Sequence, residues 1–587
     1  MTINGGTVIR VSYGASISIN GGYASSGNAT GNSVYISGGT VTSIVGDSRI
    51  SGGYAPSGNA TGNSVHISGG TVDIDVYGGY APSGNATGNS VYISGGTVEG
   101  NVCGGSAPSG NATGNSVHIS GKPDLTQADL AGGVGSSLSS LSDNTLYVHD
   151  YQGTAVKKLA NFDKFSFILP AGLRSGGTAL EVTDTASFTL PATIITNISQ
   201  KGGTNPLAVG STVNLIKAGS FNSYYISTIN PTASGLYGAT LRYDWDVKLD
   251  MTAATLTATL KSVSVNPQAK ALAEGAAAGA ALINQGADMA AGKGMDNAVS
   301  AAKGGGAAGG GALASFGALS AGQSRYNSGS HVDVSSLSLL VGLSRGVELA
   351  PGWLTLGAFF EFGRGSYNTY NSFSNAASVD GDGASGYMGV GLLGRLDFIP
   401  TGPGNFYTEA SARLGSAHNR YDNSDLRDAA GRSTGFDTYH TPYVGLHLGA
   451  GYVWNITPAA SLDMYGKYFW TRQYGQDVAL YTGETLTFDD ADSHRLRFGG
   501  RFSYAVNEYV SPYAGAAWEH EFDGRVRSAV AGYDIDAPSL RGDTGMGELG
   551  LTLRPSTSIP LSVDVGVQGY TGIREGVTGS VMLKLEF

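Results

Sequence analysis

Cysteine is nearly missing from this sequence. Cys103 is the only one among 587 residues, so no disulfide can form within the chain. Its counterpart one repeat earlier is Tyr77, which marks a tolerated structural position rather than a reactive thiol. Charge is scarce as well, at 13% of residues, with a net value of -11. No cluster of Lys and Arg offers a footprint for phosphates, which excludes nucleic acid as a partner. No run of 18 apolar residues occurs, so no helix of this chain is expected to span a membrane. The opening "MTINGGTVIR" lacks the basic and apolar segments of an export leader. Catalytic patterns are missing too. Before residue 266 the only histidines are His66, His118 and His149, and none stands near a GxSxG elbow or an HExxH pair. A non-enzymatic N-terminal half without metal or cofactor is therefore expected.

What is present in excess is glycine, 92 residues, together with 41% apolar content. A mean hydropathy of -0.04 is too high for disorder. Four near-identical segments begin at Gly21, Gly52, Gly78 and Gly104, at steps of 31, 26 and 26 residues. Such a period signals a solenoid, a propeller or an array. Each copy holds a short alternating run: Val34 and Ile36, Val65 and Ile67, Val91 and Ile93, Val117 and Ile119, bounded by Gly, Asn and Ser turns. One such strand cannot bury its apolar pair alone, so stacked coils of a parallel β-solenoid are expected. Asn28, Asn59, Asn85 and Asn111 would form one amide ladder, and Asn32, Asn63, Asn89 and Asn115 a second. Tyr35, His66, Tyr92 and His118 share one outward position. His66 and His118 then lie two rungs apart, roughly 9 to 10 Å, too far to share a zinc ion. The four "NAT" triplets read as copies of one turn.

Residues 122–265 lose the period but keep strand-like runs such as "FDKFSFILP" and "GATLRYDWDVKL", as a cap on the solenoid would. From Asn266 the texture becomes Ala- and Gly-rich, which predicts a helix from about Pro267 to about Ala302. Small side chains suit a helix confined in a narrow tube. The following "GGGAAGGG" lacks the strand and the Gly-Lys-Ser/Thr ending of a nucleotide loop and reads as a flexible exit.

Beyond Ala312 the pattern has a period of two. In "PYVGLHLGAGYVWNI" Val444, Leu446, Leu448, Ala450, Tyr452, Trp454 and Ile456 share a face. In "HRLRFGGRFSYAV" Leu496, Phe498 and Phe502 oppose Arg495, Arg497 and Arg501, and in "SLDMYGKYFW" Leu462, Met464 and Tyr468 oppose Asp463 and Lys467. About twelve such segments run from residues 313–326 to residues 575–587. A soluble sandwich would bury the apolar faces. An even number of long strands with aromatics near their ends fits a closed transmembrane barrel instead, with Asp463, Lys467, Arg495, Arg497 and Arg501 facing its lumen. The ending "VMLKLEF", apolar at Val581, Leu583, Leu585 and Phe587, then faces lipid. The expected fold is thus all-β: a parallel solenoid, a linker helix and a 12-stranded antiparallel barrel.

The stretch "ALINQGADMAAGKGM", the strand "SPYAGAAWEHEFDG", the strand number and the "VMLKLEF" ending resemble the autotransporter β-domain of type V secretion in Gram-negative bacteria, over residues 266–587. The segment "NFDKFSFILPAG" is similar to the junction that helps such passengers fold. The resemblance implies a monomeric barrel in outer-membrane lipid, with the helix in its lumen and the N-terminal passenger exported to the cell surface. It implies that the barrel-assembly machinery reads Val581, Leu583, Leu585 and Phe587, although Gly579 departs from the aromatic often found further back in that signal. The expected layout is 1–121 solenoid passenger, 122–265 junction and cap, 266–306 helix and linker, and 307–587 barrel. The passenger would be adhesin-like, meeting a surface ligand or a host or cell partner of unknown identity. Two alternatives stand beside it: a solute pore, and a truncated relic with an enzymatic passenger. The missing leader leads to the expectation that the N-terminus is truncated or its start misassigned.

Overall fold

The computed structural model describes residues 1–10, 17–43, 48–188, 193–222, 229–304, 313–400, 402–554 and 561–585. It divides into two compact units, Met1–Asn266 with Arg427–Arg432, and Pro267–Leu426 with Ser433–Phe587.

The first unit is a parallel β-solenoid. The coil that starts at Arg49 shows its plan: strands Arg49–Tyr54, Ala60–Thr61, Ser64–Ile67 and Thr71–Asp73, each stacked in register on the next coil. Val65, Val91 and Val117 line up, as do Ile67, Ile93 and Ile119, and all are buried. The Gly-Gly pairs at 69–70 and 95–96 lie at bends, as expected, whereas those at 52–53, 78–79 and 104–105 lie inside strands such as Asp75–Tyr80. The reason is the asparagine ladder beside them. Asn32, Asn63, Asn89 and Asn115 each donate a side-chain N–H to the amide oxygen of the next coil's asparagine at 2.9–3.2 Å, ending on Asn144. These amides press on the neighbouring backbone, and a Cβ added at Gly79 would stand 2.3 Å from Asn89 Oδ1. The other asparagine column bonds differently. Asn28, Asn59 and Asn85 each accept the backbone N–H of the next coil's asparagine, the geometry natural to an exposed turn.

Cys103 is buried in this stack, in register with Tyr77 and Ala131, and burial pushes its thiol up to about 12. Parallel stacking runs on past Gly121, through Thr145–Tyr151, Lys164–Leu169 and Ile194–Gln200. It ends where Thr232–Tyr237, Leu241–Asp250 and Thr255–Val265 pair antiparallel around buried Tyr237, Tyr243 and Trp245. The antiparallel turn removes the open edge that a solenoid end would otherwise present.

In the second unit twelve strands close into an antiparallel barrel, from Leu313–Tyr326 round to Arg574–Leu585, which pairs back with the first strand. Closure leaves the wall without a free strand edge, as a lipid setting demands. The strands Gly404–Arg427 and Ser433–Thr457 have 24 and 25 residues, well beyond the ~9–11 that cross a bilayer. Four short strands, Gln476–Ala479, Thr485–Phe488, Ser528–Val530 and Tyr533–Ile535, form a separate antiparallel sheet from two of the connections. Their three- or four-residue runs carry too little alternation to be read from sequence.

The barrel lumen and its helix

The two-residue period places each wall side chain in one of two surroundings. Leu446, Leu448, Phe498, Phe502, Trp518 and Leu549 point outward and are exposed, with Leu549 at 68%. Their chain neighbours His447 and Glu519 point inward and are buried, as is Arg495 on the same strand as Phe498. What buries the polar face is the segment after Pro267, which runs inside the barrel as Lys270–Met289, a π-helical turn Ala290–Gly294, and Met295–Gly304.

Glycine and alanine make this fit. Gly275 lies under the rings of Tyr367 and Tyr421, and Gly286 under Tyr387, where an added Cβ would stand 2.5 Å from the phenol oxygen. The π turn coincides with Lys467, whose Nζ donates to the Ala291 carbonyl at 2.6 Å, and Gly292 leaves helical geometry there. Similar donations reach the carbonyls of Gly275 from Asn419, Ile283 from Arg413 and Ala298 from Ser344.

Charge makes the remaining contacts. The carboxylate of Asp288 meets Arg495 at 2.7 Å, Arg497 at 2.6 Å and Arg574 at 3.3 Å. Arg495 and Arg497 also share Glu519. Two helical turns on, Asp296 pairs with Arg501 at 2.7 Å, and Arg501 with Glu548. Lys293 points to Asp564 at 3.1 Å and to the Tyr513 hydroxyl. Behind the helix the wall carries its own buried pairs, Arg413 with Glu361 and Lys467 with Glu409.

The charged residues singled out from sequence lie on the inner wall. Arg495, Arg497 and Arg501 meet the helix acids, and Lys467 bridges Glu409 and the helix backbone. Asp463 accepts the Tyr407 hydroxyl at 3.0 Å. Val581 and Leu583 are exposed on the outer wall, in register with Leu319 and Gly317. Leu585 pairs by its backbone with Leu561, and Phe587 lies outside the described residues. The sequence reading did not single out Asp288 and Asp296. Their signal was available, as acids eight residues apart in a helix otherwise made largely of Ala and Gly.

Residues 321–566 match the family model described as the autotransporter β-domain. The barrel is similar to the transport unit of the autotransporter AIDA-I from Escherichia coli, at 16% identity, 47% of this chain, 90% of that chain and TM-score 0.39. It is also similar to the translocator domain of the autotransporter NalP from Neisseria meningitidis, at 13% identity, 54% of this chain, 100% of that chain and TM-score 0.38. The β-domain of the Bordetella autotransporter BrkA is a third, at 15% identity, 47% and 100% coverage and TM-score 0.35. No curated protein matches the sequence. The C-terminal part of the chain is an autotransporter β-domain, a barrel of the bacterial outer membrane.

Proposed function

We propose that the barrel exports residues 1–265 and anchors them at the cell surface as a non-enzymatic, adhesin-like passenger. The observation that carries this reading is the helix: the segment that follows the solenoid in sequence is the one that lies inside the closed barrel. Within this reading, residues 1–121 are the repeat passenger, 122–265 its junction and cap, 266–306 the transit segment and 307–587 the anchor. The terminal strand, through Val581, Leu583, Leu585 and Phe587, is what the barrel-assembly machinery recognises.

The adhesin-like part is supported by repetition. The solenoid presents columns of like side chains at rung spacing, among them Tyr35, His66, Tyr92, His118 and Tyr147, whose rings stack at 4.1–4.6 Å. An array of equivalent contacts gains avidity from many weak ones without any single strong site.

The test is antibody labelling of intact bacteria that carry the full chain, with an antiserum to the solenoid repeats. Export predicts surface labelling that disappears when the barrel fails to assemble. An assembled barrel with the solenoid reachable only after permeabilisation would overturn the reading.

A further inference from the structure

Two kinds of contact hold the helix in the lumen, and they differ in one respect. The first kind repeats along the helix. Asn419 donates to the Gly275 carbonyl at 2.8 Å, Arg413 to Ile283 at 2.8 Å, Lys467 to Ala291 at 2.6 Å and Ser344 to Ala298 at 2.9 Å. Every residue carries a carbonyl, so around Gly275, Ile283 and Ala298 a helix slid by one turn, about 5.4 Å, offers equivalent acceptors again, while Ala291 lies in the π turn. Much of the surface between these points is Ala and Gly, which resist a slide only weakly.

The second kind does not repeat. Asp288 sits among Arg495, Arg497 and Arg574, which belong to the strands Ala491–Tyr504 and Arg574–Leu585. Asp296 faces Arg501, and Lys293 faces Asp564. A one-turn slide would carry each of these charges away from the partners it now meets, in surroundings where an unpaired charge is costly. Tyr387 over Gly286 is a packing contact that also marks one position.

The geometry points to Asp288 and Asp296 as the positioning residues that set the register of the helix in the barrel, while the carbonyl donors grip whichever register the charges select. This rests on the export reading in one respect only. Under that reading the register is the point where the chain stops moving through the lumen.

Disulfide trapping in the full-length, membrane-assembled protein tests the assignment. Ser344→Cys is combined in turn with Ala298→Cys, Gly294→Cys and Ala302→Cys, the last two standing for slides of one turn in either direction. With the acids intact, only the 298 pair is expected to oxidise. In Asp288→Asn/Asp296→Asn, which keeps side-chain shape, the 294 or 302 pair is expected to oxidise as well. Should that double variant not assemble, Asp288→Asn alone is read in the same way. Trapping confined to the 298 pair in these variants would overturn the assignment and leave packing at Gly286 as the determinant. Asn419→Ala keeps every charge and is expected to trap at 298 only. If it spreads the traps, the carbonyl grip sets the register and the assignment falls. The traps are read in the assembled barrel wherever the solenoid lies, so a passenger missing from the surface with unchanged traps counts against export and not against the register.

Discussion

Phe498 and Arg497 are neighbours in the chain and face opposite surroundings, Phe498 outward at 51% exposure and Arg497 onto Asp288 and Glu519. Replacing Phe498 with Arg is expected to cost about 2–4 kcal/mol near the bilayer midplane. Arg497→Ser is expected to cost about 1.5–3 kcal/mol, because Asp288 and Glu519 each lose one charged hydrogen-bond partner and keep Arg495. Urea unfolding of both variants in lipid measures the pair, and a near-neutral Arg497→Ser would contradict the ion-pair account. Alternation made the facing of both residues legible in the sequence. It could not show that Arg497 meets a helix acid more than 200 positions away in the chain, because such a partner is fixed by closure of the barrel around the helix. Glycine carries the same lesson. Gly79 lies within a strand, where only glycine fits because the amide of Asn89 fills the space a Cβ would take. Gly79→Ala is expected to destabilise the solenoid by about 1–3 kcal/mol as an overpacked site, as thermal unfolding of the passenger would report.

At the scale of elements, the ladder of Tyr and His on the solenoid responds to pH. Burial lowers the imidazole of His118 to about 4 from its usual 6.5, with His149 and His66 adding repulsion, and burial takes His149 to about 4 as well. The folded rings stay neutral where the unfolded chain would already bind protons. Stability from these groups is therefore complete above pH 6.5 and is lost progressively as the pH falls toward about 4. Thermal unfolding of the solenoid should drop across that window, and His118→Tyr should flatten the drop; a midpoint independent of pH between 7 and 4 would contradict it. The lumen helix is an element of the opposite kind, legible in sequence by its Ala and Gly but not in its details. Helix propensity favours Gly→Ala by roughly 1 kcal/mol. Gly286→Ala should reverse that sign, because the new methyl meets Tyr387, while Gly279→Ala, whose Cβ would stand 3.3 Å from Ser385 Oγ, should be the better tolerated. Heat-modifiable gel mobility of the assembled barrel compares the two. The π turn at Ala290–Gly294 was not legible in the sequence, since the group that meets it, Lys467 on the Ala291 carbonyl, comes from the wall and not from a neighbouring residue.

For the whole molecule, the order of solenoid, helix and barrel could be read because each part has its own period: about 26 residues for a coil, 3.6 for the helix and two for a strand. A cap was expected within 122–265, but its antiparallel pairing, like the small sheet between barrel strands, escaped that reading, because both arise from pairings between segments without a period. The account's central claim is that one chain places its solenoid outside the cell, its helix inside the lumen and its barrel in the membrane. Protease treatment of intact bacteria, followed by mass measurement of the protected fragment, tests all three at once. The account predicts loss of the solenoid and survival of a fragment that starts near Pro267 and runs through the barrel, with the helix shielded by the wall. Survival of the whole chain on cells with assembled barrels, or a fragment that has lost Lys270–Gly304, would contradict it.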